Sequence, residues 1–397
     1  MTRVLLDISR LISRVRHARP SGVDRVEMAY ARGLRECYGD DLAFCAVHPS
    51  GLYGRINRRI AVTYLDQLEE RWAKQEGLQG QKSVASVLPW MMRLLPRQEG
   101  IGNADVLVQV SPHHLTDTAK VRSIIEREQA KFVCLVHDLI PIEYPEYARP
   151  GGHAQHEARM ESVAELADIV IVNSATTGQS LERWIVAKGK TPPPIRVAHL
   201  GTQNLPDIAS EPKADDQPYF LCLGTIEPRK NHLLLLHLWR EMAGSLPSGE
   251  VPRLVVIGRR GWENEQIVDL LDRCPALASC VEEINSCGDE ELAAMIRGAR
   301  GLLMPSFAEG YGMPIAEALS LGTPVIASEL PAHREAGASA PEYLDPLDGP
   351  AWRAAILDFA EKGPLWQAQQ KRIAGWKAPT WSDHIATASE LIDAIGS

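Results

Sequence analysis

The sequence lacks the features that mark several protein classes. Aromatic residues make up 6% of its 397 residues, and charged residues 23% against 45% hydrophobic ones. This composition is typical of a globular protein and excludes disordered, collagen-like and disulfide-scaffold chains. No apolar run reaches the roughly 18 residues of a membrane helix, and arginines interrupt the N-terminal apolar run. We therefore expect a cytoplasmic protein that carries neither a signal peptide nor a membrane span.

Metal-binding and nucleic-acid-binding signatures are also missing. The seven cysteines lack the paired close spacing of structural zinc, which predicts reduced, buried thiols. The segment HAQHE, with His153, His156 and Glu157, is only a weak metal-binding signal, and a solvent-facing helix start is the favoured interpretation. There is no D-x-D metal–diphosphate motif, Walker loop, G-x-G-x-x-G or G-x-S-x-G. The net charge of −9 argues against nucleic-acid binding, so we expect neither a metal nor a nucleic-acid partner.

The charge is unevenly distributed along the chain. Residues 1–200 carry 26 Lys and Arg against 23 Asp and Glu, whereas residues 201–397 carry 16 against 28. The first half is therefore mildly basic, and the second half is distinctly acidic.

What the sequence does contain is a regular alternation of short apolar runs and longer amphipathic stretches. This pattern is typical of parallel strands joined by crossover helices, and it predicts two consecutive doubly wound α/β units. The strand candidates are RVLLDI, LAFCAV, DVLVQV, KFVCLVHD, DIVIVNS and IRVAHLG in the first half, then YFLCLGT, RLVVIG, GLLMPS, TPVIAS and APEYLDP. Helices are predicted at 154–167, 231–243, 263–273, 289–299, 312–321 and 381–395, the last one capped by Ser382.

The polar segment 202–218 interrupts this periodicity and marks a domain boundary. We expect an N-terminal domain over 1–205, a second domain over 206–378, and a C-terminal helix within 379–397 that packs back towards the first domain.

Residues 52–100 depart from the pattern. This segment combines the basic cluster GRINRRI with an apolar stretch around Trp90 that also contains Arg93 and Arg97. The first interpretation is a helical excursion whose apolar face packs on its own domain. The second is an exposed apolar and basic patch that touches a membrane interface or a lipid-linked acceptor.

The strongest local signal is LLMPSFAEGYGMPIAEALSLGTPVIAS. A buried strand leads into a loop with Glu309 and the flexible run Gly310–Gly312, and a helix begins near Met313. Backbone N–H groups at such a helix start form an anion site. Glu317 lies about one turn into the helix, so it can face the same place as Glu309 and accept hydrogen bonds from sugar hydroxyls.

The second signal is LCLGTIEPRKNHLLLLHLW, in which Arg229 and Lys230 precede a leucine-rich helix. The helix dipole opposes two cations at its N-terminus unless an anion binds there. This local conflict favours a diphosphate ligand, because functional sites are where local rules are broken.

In the first half, His137 and Asp138 end a strand at the carboxyl edge of the predicted sheet, where ligands of open parallel sheets bind. The alternative for this pair is a helix or loop cap. Gly22, in the loop SGVDRVE, stands where the backbone could approach a ligand closely.

Together these motifs resemble family 4 of the retaining glycosyltransferases, and the likeness covers about two-thirds of the chain. The C-terminal match runs through LGTIEPRKN, VVIGRRGW and the E-x7-E element from Glu309 to Glu317. The first half matches through SGVDRVE, VHDLIPIEYP and VNSATTGQSL. The resemblance implies a GT-B fold, in which two facing Rossmann-like domains leave a cleft between them. It also implies an enzyme that needs no metal or other cofactor.

The resemblance assigns roles to individual residues. Arg229 and Lys230 would neutralise the departing diphosphate, Glu309 would contact the transferred sugar, and Glu317 would hold the ribose. His137 would lie near the reacting carbon. The other implied donor contacts are Gly22, Gly258, Arg259, Gly310, Tyr311, Gly312 and Met313, and the implied acceptor-side residues are Asp138, Arg93 and Arg97.

The motifs EPRKN and VHDLIPIEYPEY are most similar to those of bacterial mannosyltransferases of surface-polysaccharide assembly. They favour GDP-mannose as donor over UDP-glucose or a deoxysugar nucleotide. The acceptor would be a saccharide or a lipid-diphosphate-linked saccharide, with peripheral contact at the inner face of the cytoplasmic membrane. The alternatives are a GT-B phosphorylase or epimerase, and a non-catalytic nucleotide-binding or scaffold protein.

Overall fold

The structure, a computed structural model, divides the chain into two compact α/β units. It describes residues 2–17, 19–74, 84–98, 100, 102–202, 217–247, 249–285 and 287–396. Unit 1 comprises Met1–Glu143, Pro150–Gly201 and Thr380–Ser397, and unit 2 comprises Tyr144–Arg149 and Thr202–Pro379. Most of the predicted boundary segment 202–218 lies outside the described residues.

Unit 1 is built on a seven-stranded sheet in the order β3-β2-β1-β4-β5-β6-β7. Every neighbouring pair is parallel except β2 and β3. The inner strands are mainly apolar, because helices cover both faces of such a sheet. The strands are Val4–Asp7 (β1), Leu42–Val47 (β2), Tyr53–Ile56 (β3), Val106–Gln109 (β4), Lys131–Val136 (β5), Ile169–Val172 (β6) and Ile195–Val197 (β7).

The helices of unit 1 connect these strands. They are Ser9–Ser13 (α1), Gly22–Tyr38 (α2), Arg58–Lys74 (α3), Val84–Arg93 (α4), Thr118–Glu128 (α5), Ile140–Glu143 (α6), Gly152–Leu166 (α7) and Ala175–Ala187 (α8). Ser21 caps α2 in a capping box: its side chain accepts from the Asp24 N–H, while the Asp24 carboxylate accepts from the Ser21 N–H.

The spatial order of the sheet in unit 1 reverses beside β1. Ligands of such sheets bind at the carboxyl ends of the strands that flank this switch point, here β1 and β4.

Unit 2 contains a six-stranded, fully parallel sheet in the order β10-β9-β8-β11-β12-β13. Its strands are Tyr219–Leu223 (β8), Arg253–Ile257 (β9), Val281–Ile284 (β10), Gly301–Met304 (β11), Val325–Ser328 (β12) and Glu342–Leu344 (β13). Its helices are His232–Ser245 (α9), Glu265–Arg273 (α10), Asp289–Gly298 (α11), Met313–Ser320 (α12), Pro331–Gly337 (α13), Gly349–Ala360 (α14) and Pro364–Ala374 (α15). Here the switch point lies between β8 and β11.

Two strands are absent from the sequence-based assignment, β3 and β10. Both lie at sheet edges, and their sequences YGRI and VEEI carry charged residues where a buried strand would be apolar. An edge strand pairs on one side only, so it tolerates polar side chains that hide it from a hydrophobicity pattern.

The last helix, Trp381–Gly396 (α16), packs in unit 1. It buries Ile385, Ala388 and Ile392, and the ring of His384 hydrogen-bonds with the Tyr30 hydroxyl of α2 at 2.8 Å. The predicted cap Ser382 is wrong. Thr380 lies before the first turn, and its hydroxyl accepts from the Asp383 N–H at 3.1 Å.

Among the described residues, none of the helices combines the length and the apolar character needed to span a membrane. All seven cysteines lie in the described ranges and none forms a disulfide; four of them are buried, whereas Cys37 is exposed.

Glu27 on α2 is a buried carboxyl group whose titration should be visible in the stability of unit 1. Burial raises its pKa to about 8, well above the value of an unfolded chain. The folded state therefore binds the proton more tightly, and the stabilisation this gives is fully present below about pH 4.5 and lost as pH rises through about 8. We expect Glu27→Gln to flatten the fall in melting temperature between pH 5 and 8. The exposed Glu36→Gln is the control, and parallel curves for Glu27→Gln and the unmodified protein would contradict this assignment.

Candidate active site

Arg229 and Lys230, the two cationic residues of the second sequence motif, lie directly after β8, at the switch point of unit 2. Residues Pro228–Lys230 form one turn of 3-10 helix. Asn231 follows with φ of 54°, a left-handed conformation that asparagine tolerates, and α9 then begins at His232. This tight connection keeps Arg229 and Lys230 at the carboxyl edge of the sheet, and Lys230 is only 9% exposed.

The loop after β11 supplies a carboxylate to the same place. Glu309 lies between the end of β11 and the first residue of α12, Met313. Gly312 precedes that helix with φ of 119°, a conformation that L side chains rarely adopt, so glycine is required there. Pro314 falls in the first helical turn, where its missing N–H costs no intrahelical hydrogen bond.

Glu309 is the centre of a compact polar cluster. Its Oε2 accepts a hydrogen bond from Nη1 of Arg229 at 2.7 Å. Its Oε1 pairs with Nζ of Lys230 and accepts from the hydroxyl of Ser306 at 2.8 Å. A carboxylate offers about four acceptor positions, and these three donors leave about one for a ligand.

Arg229 contacts both the turn after β8 and the loop after β11. Its Nε pairs with Oε1 of the buried Glu227 at 2.6 Å, and its Nη1 also donates to the carbonyl oxygen of Ala308 at 3.0 Å. The backbone N–H of Phe307 donates in turn to the carbonyl oxygen of Arg229 at 2.7 Å. Arg229 and Lys230 therefore have anionic partners on the chain itself, so the conflict with the helix dipole does not by itself require a diphosphate.

Glu309 is held ionised. Burial by itself would raise its pKa, but the adjacent Arg229 and Lys230 outweigh burial and hold the pKa well below the ordinary range. A permanently ionised carboxylate accepts hydrogen bonds and cannot act as a general acid at neutral pH.

The other donor-side residues of the prediction lie in the same unit. Gly258 follows β9, and a Cβ there would lie 1.8 Å from the carbonyl oxygen of Gly224, so two loops meet with no room for a side chain. Arg259 is exposed. Tyr311 is buried, and Glu317 is the fifth residue of α12, half-buried and about 6 Å along its axis.

Comparison with known proteins finds a family match within this unit. Residues 205–340 match the family model for glycosyl transferases group 1. A serotype-specific mannosyltransferase WbdA of Escherichia coli is 29% identical over 229 residues, which cover 53% of this chain and 27% of the relative. The O-antigen chain mannosyltransferase B of Escherichia coli is 36% identical over 171 residues, which cover 42% of this chain and 43% of the relative.

The chain spans about a quarter of the length of WbdA and less than half of mannosyltransferase B. Among solved structures, a sucrose-phosphate synthase from Thermosynechococcus elongatus aligns over 100% of this chain and 99% of its own, with 17% identity and a TM-score of 0.67. That likeness confirms the predicted GT-B fold of two Rossmann-like domains.

Three further residues of the candidate site carry no signal in the sequence. Glu227 lies in the turn before Arg229 and Lys230 and carries no separate motif signal. Ser306 carries none either, because a lone serine after a strand is common. His333 is fully buried near Glu309; its Nδ1 bonds to the carbonyl oxygen of Ser328 at 2.9 Å, and its Cδ2 would lie 3.3 Å from a Cβ on Gly312. Its position is set by the packing of α13 against α12, which no local pattern reveals.

In unit 1, His137 and Asp138 follow β5 as predicted. The Nε2 of His137 lies 2.9 Å from the carbonyl oxygen of Val110, and burial lowers the pKa of the ring. The Asp138 carboxylate accepts from the N–H of Ile140 at 3.1 Å and so caps the short helix α6, which is the alternative role. Gly22 is the first residue of α2.

Of the two histidines at the start of α7, His153 is partly exposed as predicted, with a side chain 44% accessible to solvent, whereas His156 is buried and contradicts the prediction. His156 is 8% exposed, and its Nε2 lies 3.0 Å from the carbonyl oxygen of Asp138, so this ring helps to fix the loop after β5. His153 has Nδ1 3.1 Å from the carbonyl oxygen of Pro141. Across the described ranges there is no group of three His, Cys, Asp or Glu residues with metal-binding geometry.

In the segment 52–100, some apolar side chains pack on unit 1, as in the first interpretation, and others are exposed, as in the second. Trp90 packs on Tyr64 with ring centroids 5.4 Å apart, and Leu94 is fully buried. Leu88, Met92 and Leu95 remain 51%, 64% and 42% exposed.

The basic residues of that segment are only partly available to a ligand. Arg93 and Arg97 are exposed, and the guanidinium of Arg93 lies 5.8 Å from the centroid of the Trp90 ring. Arg55 is paired with Glu128 at 2.7 Å and Arg58 with Asp40. The basic cluster is therefore partly neutralised within unit 1.

Proposed function

We propose that this chain transfers a mannosyl group from GDP-mannose, with retention of configuration, to a saccharide or lipid-linked acceptor in surface-polysaccharide assembly. The observation that carries the proposal is the Arg229–Lys230–Glu309 cluster at the switch point of a group 1 glycosyltransferase unit. The names of the relatives, mannosyltransferases of O-antigen synthesis, support mannose as the sugar.

The donor diphosphate would bind beside Arg229 and Lys230, and these two cations would neutralise the charge that grows as the sugar–phosphate bond breaks. Arg229 supplies a planar fork and Lys230 a compact point charge. Glu309, kept ionised by the same cations, would accept a hydrogen bond from a hydroxyl of the transferred sugar. Glu317 would hold the ribose, while Gly258, Arg259 and residues 310–313 complete the donor side.

The reaction would proceed on the front face of the sugar. The leaving phosphate helps to deprotonate the acceptor hydroxyl, so no separate general base is required. Unit 1 would contribute Gly22 near the phosphates, His137 near the reacting carbon and Asp138 on the acceptor side. Protein cations meet the diphosphate charge, and the proposal therefore includes no metal or other cofactor.

The location in this proposal is the cytoplasmic face of the membrane. The exposed apolar residues Leu88, Met92 and Leu95, together with Arg93 and Arg97, would make peripheral contact with anionic lipid. Co-sedimentation with anionic vesicles is the measurement for this contact.

The test is a donor panel with the purified chain. GDP-mannose, UDP-glucose and dTDP-linked sugars are each incubated with a short O-antigen-type saccharide acceptor, with and without EDTA. We expect transfer from GDP-mannose that EDTA does not reduce, and an α-linked product by NMR. Preference for a UDP- or dTDP-sugar would show that the proposed donor is wrong. Inversion of configuration or sensitivity to EDTA would contradict the mechanism. Nucleotide binding without turnover on any acceptor would indicate a scaffold protein.

A further inference from the structure

Unit 2 includes a short segment whose neighbours in the sequence belong to unit 1. Residues Tyr144–Arg149 are part of unit 2, whereas Glu143 and Pro150 on either side are part of unit 1. The segment carries two tyrosines and one arginine. Tyr144 is 41% exposed, and Arg149 is exposed as well. This segment therefore presents an aromatic ring and a cation to solvent.

The two tyrosines belong to an aromatic row, Tyr144–Tyr147–Phe307, that reaches the loop of Glu309. The ring centroids of Tyr144 and Tyr147 lie 5.8 Å apart with 28° between the ring planes, and those of Tyr147 and Phe307 lie 6.2 Å apart with 9° between them. Rings in full face-to-face contact would be about 3.5–4 Å apart, so these near-parallel rings are offset and leave part of each face uncovered by the next. Phe307 precedes Glu309 in the loop after β11, and its N–H donates to the carbonyl oxygen of Arg229 at 2.7 Å. The aromatic row therefore runs from the candidate active site to an exposed ring.

Trp262 and Arg149 form a polar border beside this row. Nε1 of Trp262 donates to the carbonyl oxygen of Tyr147 at 3.1 Å, which fixes the segment to the loop after β9. The guanidinium carbon of Arg149 lies over the Trp262 ring, 4.6 Å from its centroid. Within the part of the chain that the structure describes, neither the Arg149 guanidinium nor the hydroxyls of Tyr144 and Tyr147 have a hydrogen-bond or ion-pair partner. These groups are therefore available to hydrogen-bond with a ligand.

The composition of this surface matches a saccharide. Aromatic residues make up only 6% of the chain, yet four of them meet here, namely Tyr144, Tyr147, Trp262 and Phe307. A hexose has C–H groups that pack on the negative face of an aromatic ring, and hydroxyls that hydrogen-bond with polar groups at the border of the rings. Arg149 is the only cation of the segment, so the surface offers little charge to a diphosphate.

We propose that Tyr144, Tyr147 and Arg149 bind the acceptor saccharide, with one sugar unit stacked on the exposed ring of Tyr144. This inference rests on the proposed function, because it names the residues with which the same enzyme holds its acceptor. Glu309 is proposed to contact the transferred sugar, and the aromatic row leads from its loop towards solvent. The sugar units that lie along the row are therefore those of the acceptor, and the hydroxyls and the Arg149 guanidinium hydrogen-bond with their hydroxyl groups.

The first experiment measures acceptor kinetics with saturating GDP-mannose and α-linked mannotriose as acceptor. Tyr144→Ala should raise the KM for mannotriose about tenfold, the loss expected when one aromatic stacking contact is removed. The effect should fall on this KM and not on kcat or on acceptor-free donor hydrolysis. Tyr144→Phe keeps the ring and should recover most of the loss. Leu365→Ala is the matched control, because Leu365 is 40% exposed on α15 of the same unit, and melting curves check that each variant folds.

A binding measurement does not depend on turnover. Mannotriose is titrated into the purified protein and followed by saturation-transfer NMR, and the strongest transfer is expected at the ring C–H protons that lie on the tyrosine. Tyr144→Ala should weaken this binding about tenfold, and Arg149→Gln should weaken it severalfold through lost hydrogen bonds. This result would stand even if no donor sugar were transferred, so failure of the proposed function and failure of the saccharide site are distinguishable.

Three results would overturn the proposal. An unchanged KM and an unchanged mannotriose affinity in Tyr144→Ala would show that the acceptor does not contact this ring. A loss of GDP affinity in Tyr144→Ala, with mannotriose binding intact, would place the ring against the base of the donor. A lower melting temperature together with a fall in donor hydrolysis would indicate that Tyr144 has only a structural role.

Discussion

Lys230→Ala is expected to lower kcat for sugar transfer by about 10²- to 10³-fold, the loss typical when one preorganised electrostatic contact to a transition state is removed. Nζ of Lys230 is paired with Glu309 in a site that is almost closed to solvent, so its charge is poorly screened there. Its effect should grow as the departing diphosphate gains charge. The loss should therefore appear in kcat as well as in kcat/KM, measured by initial rates with saturating donor.

The folded state should survive this change. Arg229 still compensates Glu309 at 2.7 Å, so the carboxylate is not left buried without a partner. The control is Lys188→Ala, which removes a partly exposed lysine paired with Glu157 on the surface of unit 1 and should leave kcat unchanged. If Lys230→Ala kept its melting temperature and a kcat within fivefold of the original, Lys230 would have no catalytic role.

Ile385→Asp is expected to destabilise unit 1 by several kcal/mol, since it places a carboxylate in an apolar contact without a partner. Ile385 is 4% exposed. It packs so closely on Gly33 of α2 that a Cβ at Gly33 would lie only 2.6 Å from Cγ1 of Ile385. The close approach of α16 and α2 leaves no room for water around an introduced charge. Thermal unfolding followed by circular dichroism should show a fall of about 10 °C or more for a unit of this size.

Ala386→Asp is the matched control, because the neighbouring side chain on the same helix is exposed. It should change the melting temperature by only a degree or two. Similar melting temperatures for the two variants would mean that α16 does not stabilise unit 1.

The two loops of the candidate site could be predicted from the sequence because each motif is local. A buried strand, a turn with charged residues and a helix start follow one another within about a dozen residues, both around Arg229 and Lys230 and around Glu309. The rule that ligands bind at the carboxyl ends of parallel strands then brings them together. The contacts of Glu309 with Arg229 and Lys230 confirm that the two motifs meet, while the chemical role of each residue stays a proposal.

Other features depended on partners remote in the chain. Strands β3 and β10 are held by pairing at sheet edges and lack the apolar pattern of inner strands. His156 is buried by the loop after β5, although its sequence context resembles a solvated helix start. Arg55 is withdrawn from the basic patch by Glu128, which lies 73 residues away.

The sequence by itself determined that the chain folds as two doubly wound units and which loops carry the charged motifs, since both are written in short-range periodicity and turn chemistry. Only the tertiary structure decided how charges are matched. It paired the two cations that follow β8 with Glu309 and Glu227, and it paired both Arg10 and Arg14 with the single carboxylate of Asp24. Electrostatic free energy depends on distance and burial, and for residues far apart in the chain these quantities exist only in the folded protein.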